Sequence, residues 1–500
     1  MRNERYSTKE EIKKVLKPNV AGSVLFVDPD THESYNLDSE SNAIFLGTTG
    51  SGKTRRGTIP LLLSCLKNDE NVIAVDSKGI LLEETIGEAQ ARGYETIVLN
   101  FRDIENSAGF NPLTYPYSLY KIGSDSSIQL AYELVAKVGE SIYQHSPGSS
   151  EDPFWVESAR NTFESAVHIL FKYGSKEQIN IQNVYRVISE GVMRTASQRY
   201  FEYLCEAEPA EPFSFMLQHL TTACPDTLNS ILCVTYKGLN TMIKSPALMK
   251  IFSADDFISS LDGRKKTAIY IVTPDESEYY SMVSGVLVDQ IMSHLIRVAH
   301  EKYSGCLPRR VNCVIEELGN IGGAIPSLPT LMSAARSRNI RMFIVLQSYS
   351  QLNDLYGNAR ATTITSNADT IVAFRTTHME TLKELSEKVG YREVDYGDHR
   401  ENEALISPVQ IGAMEVGQAL VIIAGRYKFC TSLPDFTEIF ETKPYQTPKI
   451  GERPIYRTEK FSLKKLVDTI RRHTISEDSD LESIMRRINK KIADLERENS

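Results

Sequence analysis

The sequence contains few of the residues that build zinc centres and disulfide scaffolds. Its 500 residues include seven cysteines and nine histidines, without a C-x-x-C pair or the histidine spacing of a zinc site. An odd number of cysteines in a chain without a secretion signal favours free thiols. We therefore expect reduced cysteines in the core and no zinc site.

Long apolar runs are also missing. No stretch approaches about 18 uninterrupted apolar residues, the length that indicates a membrane-spanning helix. The N-terminal sequence MRNERYSTKEEIKK is charged from its start, whereas a secretion signal contains an apolar core. We expect a cytoplasmic chain that neither spans a bilayer nor is exported.

The sequence has no excess of basic residues. Its 56 basic and 65 acidic residues give a formal charge of −9, so any contact with nucleic acid must be local. Arg264–Lys266 and Arg309–Arg310 are candidates, although such short runs are more often solvated loop charge. The composition, 41% hydrophobic and 24% charged, is that of a globular chain of about two to four domains.

The most informative motif is a glycine-rich turn between the predicted strand Ala43–Leu46 and a predicted helix. In the spacing G-x-x-x-x-G-K-T, the glycines let backbone N–H groups point at a phosphate. The lysine reaches the β- and γ-phosphates, and the threonine ligates Mg²⁺. A glycine-rich turn with a surface lysine is the alternative. The predicted nucleotide-binding residues are Gly47, Thr48, Thr49, Gly50, Ser51, Gly52, Lys53 and Thr54.

Two successive carboxylates follow the apolar segment Val311–Ile315. A phosphate loop needs an acidic element at the end of a neighbouring strand. We expect Glu316 to approach Mg²⁺ through water, and Glu317 to orient or deprotonate the water that attacks the γ-phosphate. The alternative is two solvated carboxylates, because doubled acids are common at helix starts.

Polar residues flank the next predicted strand, Phe343–Leu346. Gln347 follows its end, where a glutamine can hydrogen-bond the γ-phosphate or the attacking water. Arg336 or Arg338, before the strand, could reach a neighbouring subunit's nucleotide and neutralise charge in the transition state. On these residues alone, a surface arginine pair is the favoured explanation for the two arginines.

Asp76 and Lys78 follow the predicted strand Asn71–Val75, at the edge where ligands of open parallel sheets bind. They could brace the nucleotide site. A simple strand-to-helix turn explains Asp76 and Gly79 equally well.

Apolar runs that alternate with predicted helices indicate an α/β fold with a mainly parallel sheet. Helical periodicity replaces strands between about residues 115 and 260, with helices predicted at Ile128–Val138 and Trp155–Tyr173. Further strands are predicted at Thr96–Leu99, Ala268–Val272, Thr370–Phe374 and Ala419–Ile423. We predict a β-rich lead-in (1–40), a nucleotide-binding domain in two parts (41–115 and 263–440), an all-α domain (116–262), and a linker with a C-terminal helix (441–500).

The predicted C-terminal helix begins with the capping-box pattern Ser479–Glu482. Its apolar residues recur at intervals of four and three, which fits either a short coiled coil or packing onto the parent domain. These residues are Leu481, Met485, Ile488, Ile492 and Leu495.

Seven sequence blocks occur in a distinctive order along the chain: TGSGKT (49–54), VDSKG (75–79), GFNPL (109–113), PFW (153–155), IVTPDESEYY (271–280), VIEELGNIGGAIPSL (314–328) and ARSRNIRMFIVLQSYSQLNDLYG (335–357). With these blocks the chain resembles the TraG/TraD-type coupling proteins of conjugation and type IV secretion. That family comprises hexameric relatives of the FtsK and HerA DNA-pumping motors. The resemblance covers roughly residues 5–430, and QSYSQL with YG after an acidic strand is specific to it.

The resemblance implies a P-loop ATPase with a RecA-like core and with ATP and Mg²⁺ as cofactors. It implies an arginine that acts across subunits, and the spacing from Glu317 alone favours Arg336 over Arg338 in that role. It also implies Lys53 and Thr54 as ligands of nucleotide and metal, Glu316 and Glu317 as the acidic motif, and Gln347 as sensor.

Partners are likewise implied by the resemblance. They are a homohexamer of this chain, DNA bound without sequence preference or a relaxase–DNA complex, and components of a type IV secretion channel. The all-α domain is expected to face the relaxosome and the substrate.

Two features depart from the family pattern. Members usually carry N-terminal transmembrane helices, and none is predicted here. We expect a membrane-free variant, a chain that depends on a separate membrane-anchoring partner at the cytoplasmic face of the cell membrane, or a shortened chain. Glu316 stands where aspartate is usual, which affects the metal geometry more than the position of the site.

The favoured function is an ATP-driven translocase that recruits and moves DNA or a nucleoprotein during conjugative transfer. One alternative is an ATP-regulated adaptor that recruits protein substrates. The other is a DNA-packaging or chromosome-handling motor. The carboxylate pair and Arg336 favour a motor over an adaptor, because an adaptor has little use for catalytic groups.

Overall fold

The computed structural model describes residues 4–143, 152–195, 197–243, 245–253, 257–274, 278–320, 325–395, 400–426, 428–444 and 458–472. These residues form two compact units. Residues 4–115, 140–143 and 245–444 belong to the sheet unit, apart from the gaps just given. Residues 116–139, 152–243 and 458–472 belong to the helical unit.

The sheet unit contains fourteen strands among its described residues, in sheets of nine, three and two strands. In chain order the strands are β1 (Lys17–Pro18), β2 (Ser23–Val27), β3 (Ser34–Leu37), β4 (Asn42–Leu46), β5 (Asn71–Asp76), β6 (Glu95–Asn100), β7 (Thr267–Val272), β8 (Val311–Ile315), β9 (Ile340–Leu346), β10 (Ala368–Phe374), β11 (Tyr391–Asp395), β12 (Arg400–Ala404), β13 (Gln418–Ile423) and β14 (Phe429–Ser432).

The nine-stranded sheet has the order β14-β13-β10-β4-β9-β8-β5-β7-β6. The seven strands from β10 to β6 run parallel, and β13 and β14 are added antiparallel at one edge. Every residue of β4, β5, β7, β8 and β9 is buried, as expected for parallel strands whose faces are covered by helices. The predicted α/β class with a mainly parallel sheet is confirmed.

The helices of the sheet unit cover this sheet and connect its strands. The Thr8 side chain and Glu11 form a capping box at the first of them. These helices are α1 (Lys9–Val15), α2 (Ile59–Lys67), α3 (Ile80–Ala91), α12 (Pro246–Ile251), α13 (Glu278–Lys302), α14 (Leu328–Ala334), α15 (Ser350–Ser366), α16 (Met379–Val389), α17 (Pro408–Gly412) and α18 (Phe436–Ile439), with α4 (Thr114–Ile122) beginning at the boundary between the units.

The helical unit contains the long helices that the sequence predicted. Asp152 and Asn180 cap two of its helices through their side chains, as polar N-cap residues commonly do. Ile128–Val138 lies within α5, and Trp155–Tyr173 lies within α6. The helices are α5 (Asp125–Ile142), α6 (Pro153–Tyr173), α7 (Ile181–Gly191), α8 (Tyr200–Ala207), α9 (Pro212–Met216), α10 (Gln218–Thr221) and α11 (Pro225–Ile243).

The units divide the chain differently from the predicted domains. Residues 245–253 and 257–262, predicted to be part of the all-α domain, cluster with the sheet unit. The Phe110 N–H donates to the Ile251 carbonyl at 3.0 Å, and the His294 ring contacts the Leu261 carbonyl at 2.7 Å. These backbone contacts attach the segment to the sheet unit, and no periodicity of the sequence reveals them.

The segment predicted as a linker contains a helix at residues 463–472. Phe461, Leu463 and Val467 are buried, and the Ser462 hydroxyl accepts from the Lys465 N–H at 3.3 Å. The sequence signal for this helix is the recurrence of apolar residues at intervals of three and four, which the nearby prolines obscured. The helix predicted from Ser479 lies outside the described residues.

Outside the lead-in, which was predicted only as β-rich, three strands escaped prediction. β11 and β12 carry mostly charged, exposed residues, and β14 has four residues at the sheet edge, so none shows a strong apolar signal. The expectation of core cysteines was also wrong for most positions. Only Cys65 and Cys313 of the seven free cysteines are buried. No helix among the described residues is both long enough and apolar enough to cross a membrane.

Candidate nucleotide-binding site

The glycine-rich loop lies in the middle of the nine-stranded sheet, after β4 and between β10 and β9. The Gly47 N–H donates to the Leu346 carbonyl at 3.1 Å, and the Thr48 N–H donates to the Arg375 carbonyl at 2.9 Å. The loop is therefore attached to the ends of both neighbouring strands. A single turn of π-helix, Lys53–Thr58, follows it and continues into α2, so the predicted helix is confirmed.

Glycine is required at two positions of this loop. A Cβ atom at Gly47 would stand 2.6 Å from Ser51 Oγ and 2.9 Å from Phe374 Cβ. Gly52 has a φ of 102°, a left-handed conformation that side chains disfavour. The N–H groups of Thr49 and Gly50 have no backbone carbonyl partner among the described residues, so they can donate to a phosphate.

Lys53 points back into the loop. Its side chain is buried, and its ammonium donates to the Gly47 carbonyl and, at 3.2 Å, to the Thr48 carbonyl. Burial lowers the pKa of Lys53, while the nearby carboxylates of Glu316 and Glu317 oppose that effect. The loop therefore holds a desolvated cation close to both predicted acids.

Thr54 and Glu316 are in direct contact. The Thr54 hydroxyl donates to Glu316 Oε1 at 2.6 Å, and Glu316 Oε2 is buried without a hydrogen-bond partner among the described residues. Burial raises the pKa of Glu316 to about 7, against the opposing effects of the Thr54 hydrogen bond and Lys53. An unpartnered carboxylate oxygen beside a threonine hydroxyl fits the oxygen ligands that Mg²⁺ prefers.

Glu317 contacts a different partner from Glu316. Its side chain is 8% exposed and pairs with the Lys78 ammonium at 3.3 Å. The Glu317 backbone has a φ of 51°, an uncommon left-handed conformation for a residue with a side chain. The two successive carboxylates therefore have separate partners, Thr54 for one and Lys78 for the other.

The turn after β5 makes contacts of both predicted kinds: some hold the strand-to-helix turn together, and one reaches the nucleotide site. The buried Asp76 carboxylate accepts from the N–H groups of Lys78, Gly79, Leu81 and Leu82 at 2.7–3.2 Å. Asp76 thus holds the turn and the start of α3. Lys78 reaches the site through Glu317.

Gln347 stands at the end of β9, which lies between the loop strand β4 and the acidic strand β8. Its N–H donates to Gln351 Oε1 at 2.8 Å, and its carbonyl accepts from the Thr376 hydroxyl at 3.3 Å. The carboxyl ends of neighbouring parallel strands thus bring together the loop, Gln347 and the acidic pair. This is the edge at which ligands of open α/β sheets bind.

A family model described as "Type IV secretory system Conjugative DNA transfer" matches residues 2–427. The chain belongs to this family. It is 22% identical over 412 residues to the protein VirD4 of Agrobacterium fabrum (strain C58), an alignment that covers 78% of this chain. The chain spans 58% of the length of that curated relative.

Solved structures of the conjugative coupling protein TrwB have the same fold as this family member. The sulphate complex of the TrwBdeltaN70 form and the TrwB complex with ADP and Mg²⁺ both align with a TM-score of 0.65 at 17% identity. Each alignment covers 89% of this chain and 96% of the TrwB chain. The resemblance to coupling proteins with a RecA-like P-loop core is confirmed.

The structure does not bring Arg336 and Arg338 to the phosphate loop of their own chain. Both precede β9, so they lie at the opposite edge of the sheet from the loop. Seven residues of β9 separate the two edges by about 20 Å. Arg336 is 58% exposed and pairs weakly with Asp369 at 3.5 Å. Arg338 donates to Ala334 and Ser337 within its own turn.

The two basic segments considered for DNA contact also lie near this amino edge. The Lys266 ammonium pairs with Asp69 at 2.6 Å, and Arg309 donates to the carbonyls of Arg264 and Asp69. Arg310 pairs with Asp38 and Glu70. Lys266, Arg309 and Arg310 therefore have partners within the chain, whereas the alternative explanation expected solvated loop charge.

One feature of the site was missed by sequence reasoning. Arg55, directly after Thr54, forms two hydrogen bonds with Asp435 at 2.6 and 2.8 Å and covers the Phe436 ring. The adjacent Arg56 donates to the Leu433 carbonyl at 2.6 Å. The segment after β14 therefore holds the first helical turn behind the loop. Partners separated by 380 residues leave no local signal in one sequence.

Proposed function

We propose that this chain is a type IV secretion coupling ATPase. It binds and hydrolyses ATP to recruit and translocate DNA or a nucleoprotein substrate during conjugative transfer. The observation that carries the proposal is the meeting of Lys53, Thr54, Glu316 and Glu317 at one edge of the sheet. The family description, conjugative DNA transfer, supports the substrate class.

The loop supplies the phosphate-binding groups. Backbone N–H groups of residues 48–54 would surround the β-phosphate, and Lys53 would exchange its loop carbonyls for phosphate oxygens. TrwB, whose fold is the same, has been solved with ADP and Mg²⁺ and with the non-hydrolysable analogue ADPNP. These complexes support ATP and Mg²⁺ as the ligands of this chain.

Thr54 and Glu316 would hold the metal ion, with Glu316 acting directly or through water. The unpartnered Glu316 Oε2 beside the Thr54 hydroxyl supports this assignment. When bound, Mg²⁺ neutralises charge on the β- and γ-phosphate oxygens.

Glu317 would act as the general base. It accepts a proton from a water molecule, the water oxygen bonds to the γ-phosphorus, and the bond from the γ-phosphorus to the β–γ bridging oxygen breaks. ADP and inorganic phosphate leave. Gln347, at the end of the intervening strand, would hydrogen-bond the γ-phosphate or the attacking water.

Arg336 would act on the nucleotide of a neighbouring subunit. Its exposure and its distance of about 20 Å along β9 from the edge that carries its own loop support action across an interface. A ring of subunits, a homohexamer, provides such interfaces. Arg336 would leave its ion pair with Asp369 and interact with the negative charge that develops on the transferred phosphoryl group.

The partners follow from the same function. DNA would be bound through its phosphates without sequence preference, alone or joined to a relaxase, and channel components would receive it. A membrane-anchoring partner would hold the ring at the cytoplasmic face of the cell membrane.

The decisive experiment measures the ATP turnover per subunit against protein concentration, with and without single- and double-stranded DNA at low salt. We expect a rate that rises with concentration, because sites are shared, and rises further with DNA. Lys53→Ala provides the inactive control. ATP binding with a concentration-independent rate near zero would contradict the proposal and favour an adaptor.

A further inference from the structure

Lys78 and Glu317 lie in the turns that follow two neighbouring strands, β5 and β8. β5 and β8 are paired in parallel with Val75 opposite Ile315, and the Glu316 N–H donates to the Val75 carbonyl at 2.9 Å. Lys78 stands three residues after Val75, and Glu317 stands two residues after Ile315, each in the turn that follows its strand. The turns that carry them therefore start side by side.

The turn that carries Lys78 is rigidly held. Asp76, 1% exposed, accepts four backbone N–H groups from the turn and the first residues of α3, one of them from Lys78 itself at 3.0 Å. Arg102 adds a hydrogen bond to the Ser77 carbonyl at 3.1 Å. These hydrogen bonds hold the Lys78 backbone at the end of β5, the strand next to the acidic strand β8.

The side chains of Lys78 and Glu317 meet in a partly buried place. Lys78 Nζ lies 3.3 Å from Glu317 Oε1, and the two side chains are 39% and 8% exposed. Glu317 leaves the strand in a left-handed backbone conformation, which gives it a different partner from Glu316. Exposed ion pairs contribute little to stability, but a buried carboxylate depends more strongly on its counter-charge.

The Lys78–Glu317 pair also lies beside the residues of the nucleotide site. Glu316, which precedes Glu317, accepts from the Thr54 hydroxyl at 2.6 Å, and Thr54 directly follows Lys53. Two ammonium groups and two carboxylates therefore share one site. Lys53 is the group that would bind phosphate, which leaves Lys78 available to Glu317.

We propose that Lys78 is a positioning residue for the base of ATP hydrolysis. Its ammonium holds the Glu317 carboxylate where that carboxylate accepts the proton of the attacking water. The inference rests on the proposed ATPase function. Lys78 acts through Glu317, so its removal misplaces the base without removing a phosphate ligand, and a misplacement of about 1 Å can cost about 100-fold in rate.

The test compares Lys78→Met, Lys78→Arg, Glu317→Gln and the double variant Lys78→Met/Glu317→Gln. We expect Lys78→Met to lower kcat by about 10- to 100-fold and to change the affinity for a non-hydrolysable ATP analogue by less than about 3-fold. Lys78→Arg should recover part of the rate. The double variant should be no slower than Glu317→Gln alone, because residues that act as a unit are not additive.

Lys388→Met is the matched control. Lys388 is 38% exposed and pairs with Glu384 at 3.4 Å on α16, so the change removes a similar surface ion pair away from the site. Its kcat should equal that of the unmodified chain. Melting curves of all variants show whether a lost rate reflects a lost fold.

The outcomes separate this inference from the proposed function. No turnover by the unmodified chain would overturn both. Full turnover by Glu317→Gln would leave the ATPase function standing but would overturn Glu317 as its base and, with it, the role of Lys78. An inactive Glu317→Gln with a fully active Lys78→Met would overturn only the role of Lys78. Loss of analogue binding in Lys78→Met with kcat retained would also overturn it, because Lys78 would then be a phosphate ligand.

Discussion

Thr54 and Glu316, 262 residues apart in the chain, are joined by a hydrogen bond of 2.6 Å across the carboxyl edge of the sheet. The second oxygen of Glu316 is buried and has no partner among the described residues. An unpartnered buried carboxylate oxygen is costly unless a cation or donor satisfies it. The contact therefore indicates how the loop and the acidic strand would share one metal ion.

Substitution of Glu316 should weaken the response to Mg²⁺. Glu316→Gln keeps the shape but removes the negative charge that attracts the cation. We expect the Mg²⁺ concentration for half-maximal ATP turnover to rise by about tenfold or more, as for the loss of a metal-ligand contact. The Mg²⁺ requirement of Glu316→Asp should lie between those of the unmodified chain and Glu316→Gln, because aspartate keeps the charge on a shorter side chain. An unchanged Mg²⁺ requirement in Glu316→Gln would remove Glu316 from the metal site.

Glu317→Gln should separate binding from turnover. The amide cannot accept the proton of the attacking water, while the loop and Lys53 stay intact. Loss of a general base typically costs about two to four powers of ten in rate. We expect ATP affinity close to that of the unmodified chain and turnover reduced by that amount. Near-normal turnover would exclude Glu317 as the base.

Arg336→Ala should lower ATP turnover at the nucleotide site of the neighbouring subunit rather than at its own. Arg336 lies about 20 Å along β9 from the edge that carries its own loop, so under the proposed function it would act on a neighbour's nucleotide. Arg336→Ala subunits mixed with Lys53→Ala subunits should give activity that depends non-linearly on the mixing ratio. Arg338→Ala is the control, because Arg338 donates to Ala334 and Ser337 in its own turn. Simply additive activity would argue against shared sites.

Most of the site could be predicted because its parts are local in the sequence. Each functional residue follows a short buried strand, and the carboxyl ends of parallel strands meet at one edge of the sheet. The loop, Glu316, Glu317 and Gln347 were placed this way. The pairing of Lys78 with Glu317 could not be predicted, because it depends on β5 being next to β8. The positions of strands along the sequence do not give their order in the sheet.

In the fold, too, features with a local sequence signal could be predicted and those that depend on distant residues could not. Apolar runs predicted the buried strands of the parallel sheet, whereas the charged hairpin β11–β12 and the short edge strand β14 have no comparable signal. The contact between Arg55 and Asp435 joins residues from opposite ends of the sheet unit. Only the closed three-dimensional arrangement reveals such pairs.

Glu70 should be important for stability at the amino edge of the sheet. The Arg341 side chain is only 2% exposed, and its guanidinium donates to Glu70 Oε2 at 2.6 Å. Glu70→Gln removes the charge that compensates a buried guanidinium, which typically costs about 3–5 kcal/mol when a buried pair is broken. Denaturant unfolding should show a loss of that order. Asp38→Asn, which affects only the more exposed pair with Arg310, should cost less than about 1 kcal/mol.

His168 should make the helical unit sensitive to acid. The ring is stacked on Tyr132 with centroids 3.9 Å apart, and neither ring nitrogen has a hydrogen-bond partner among the described residues. Burial lowers the pKa of His168 from 6.5 to about 4. The unfolded chain therefore takes up a proton as the pH falls below about 6.5, while the folded chain does so only near pH 4.

The unfolded state binds more protons across this window, so the contribution of His168 to stability is complete above about pH 6.5 and is lost as the pH falls toward 4. His168→Phe keeps an aromatic ring and removes the titration. Relative to this variant, the unmodified chain should lose on the order of 2–3 kcal/mol between neutral pH and pH 4.5. Trp155, the single tryptophan, lies on α6 with His168, so its fluorescence during denaturant unfolding reports this unit directly. A constant difference between the two chains across the pH range would show that His168 is not buried as a neutral ring.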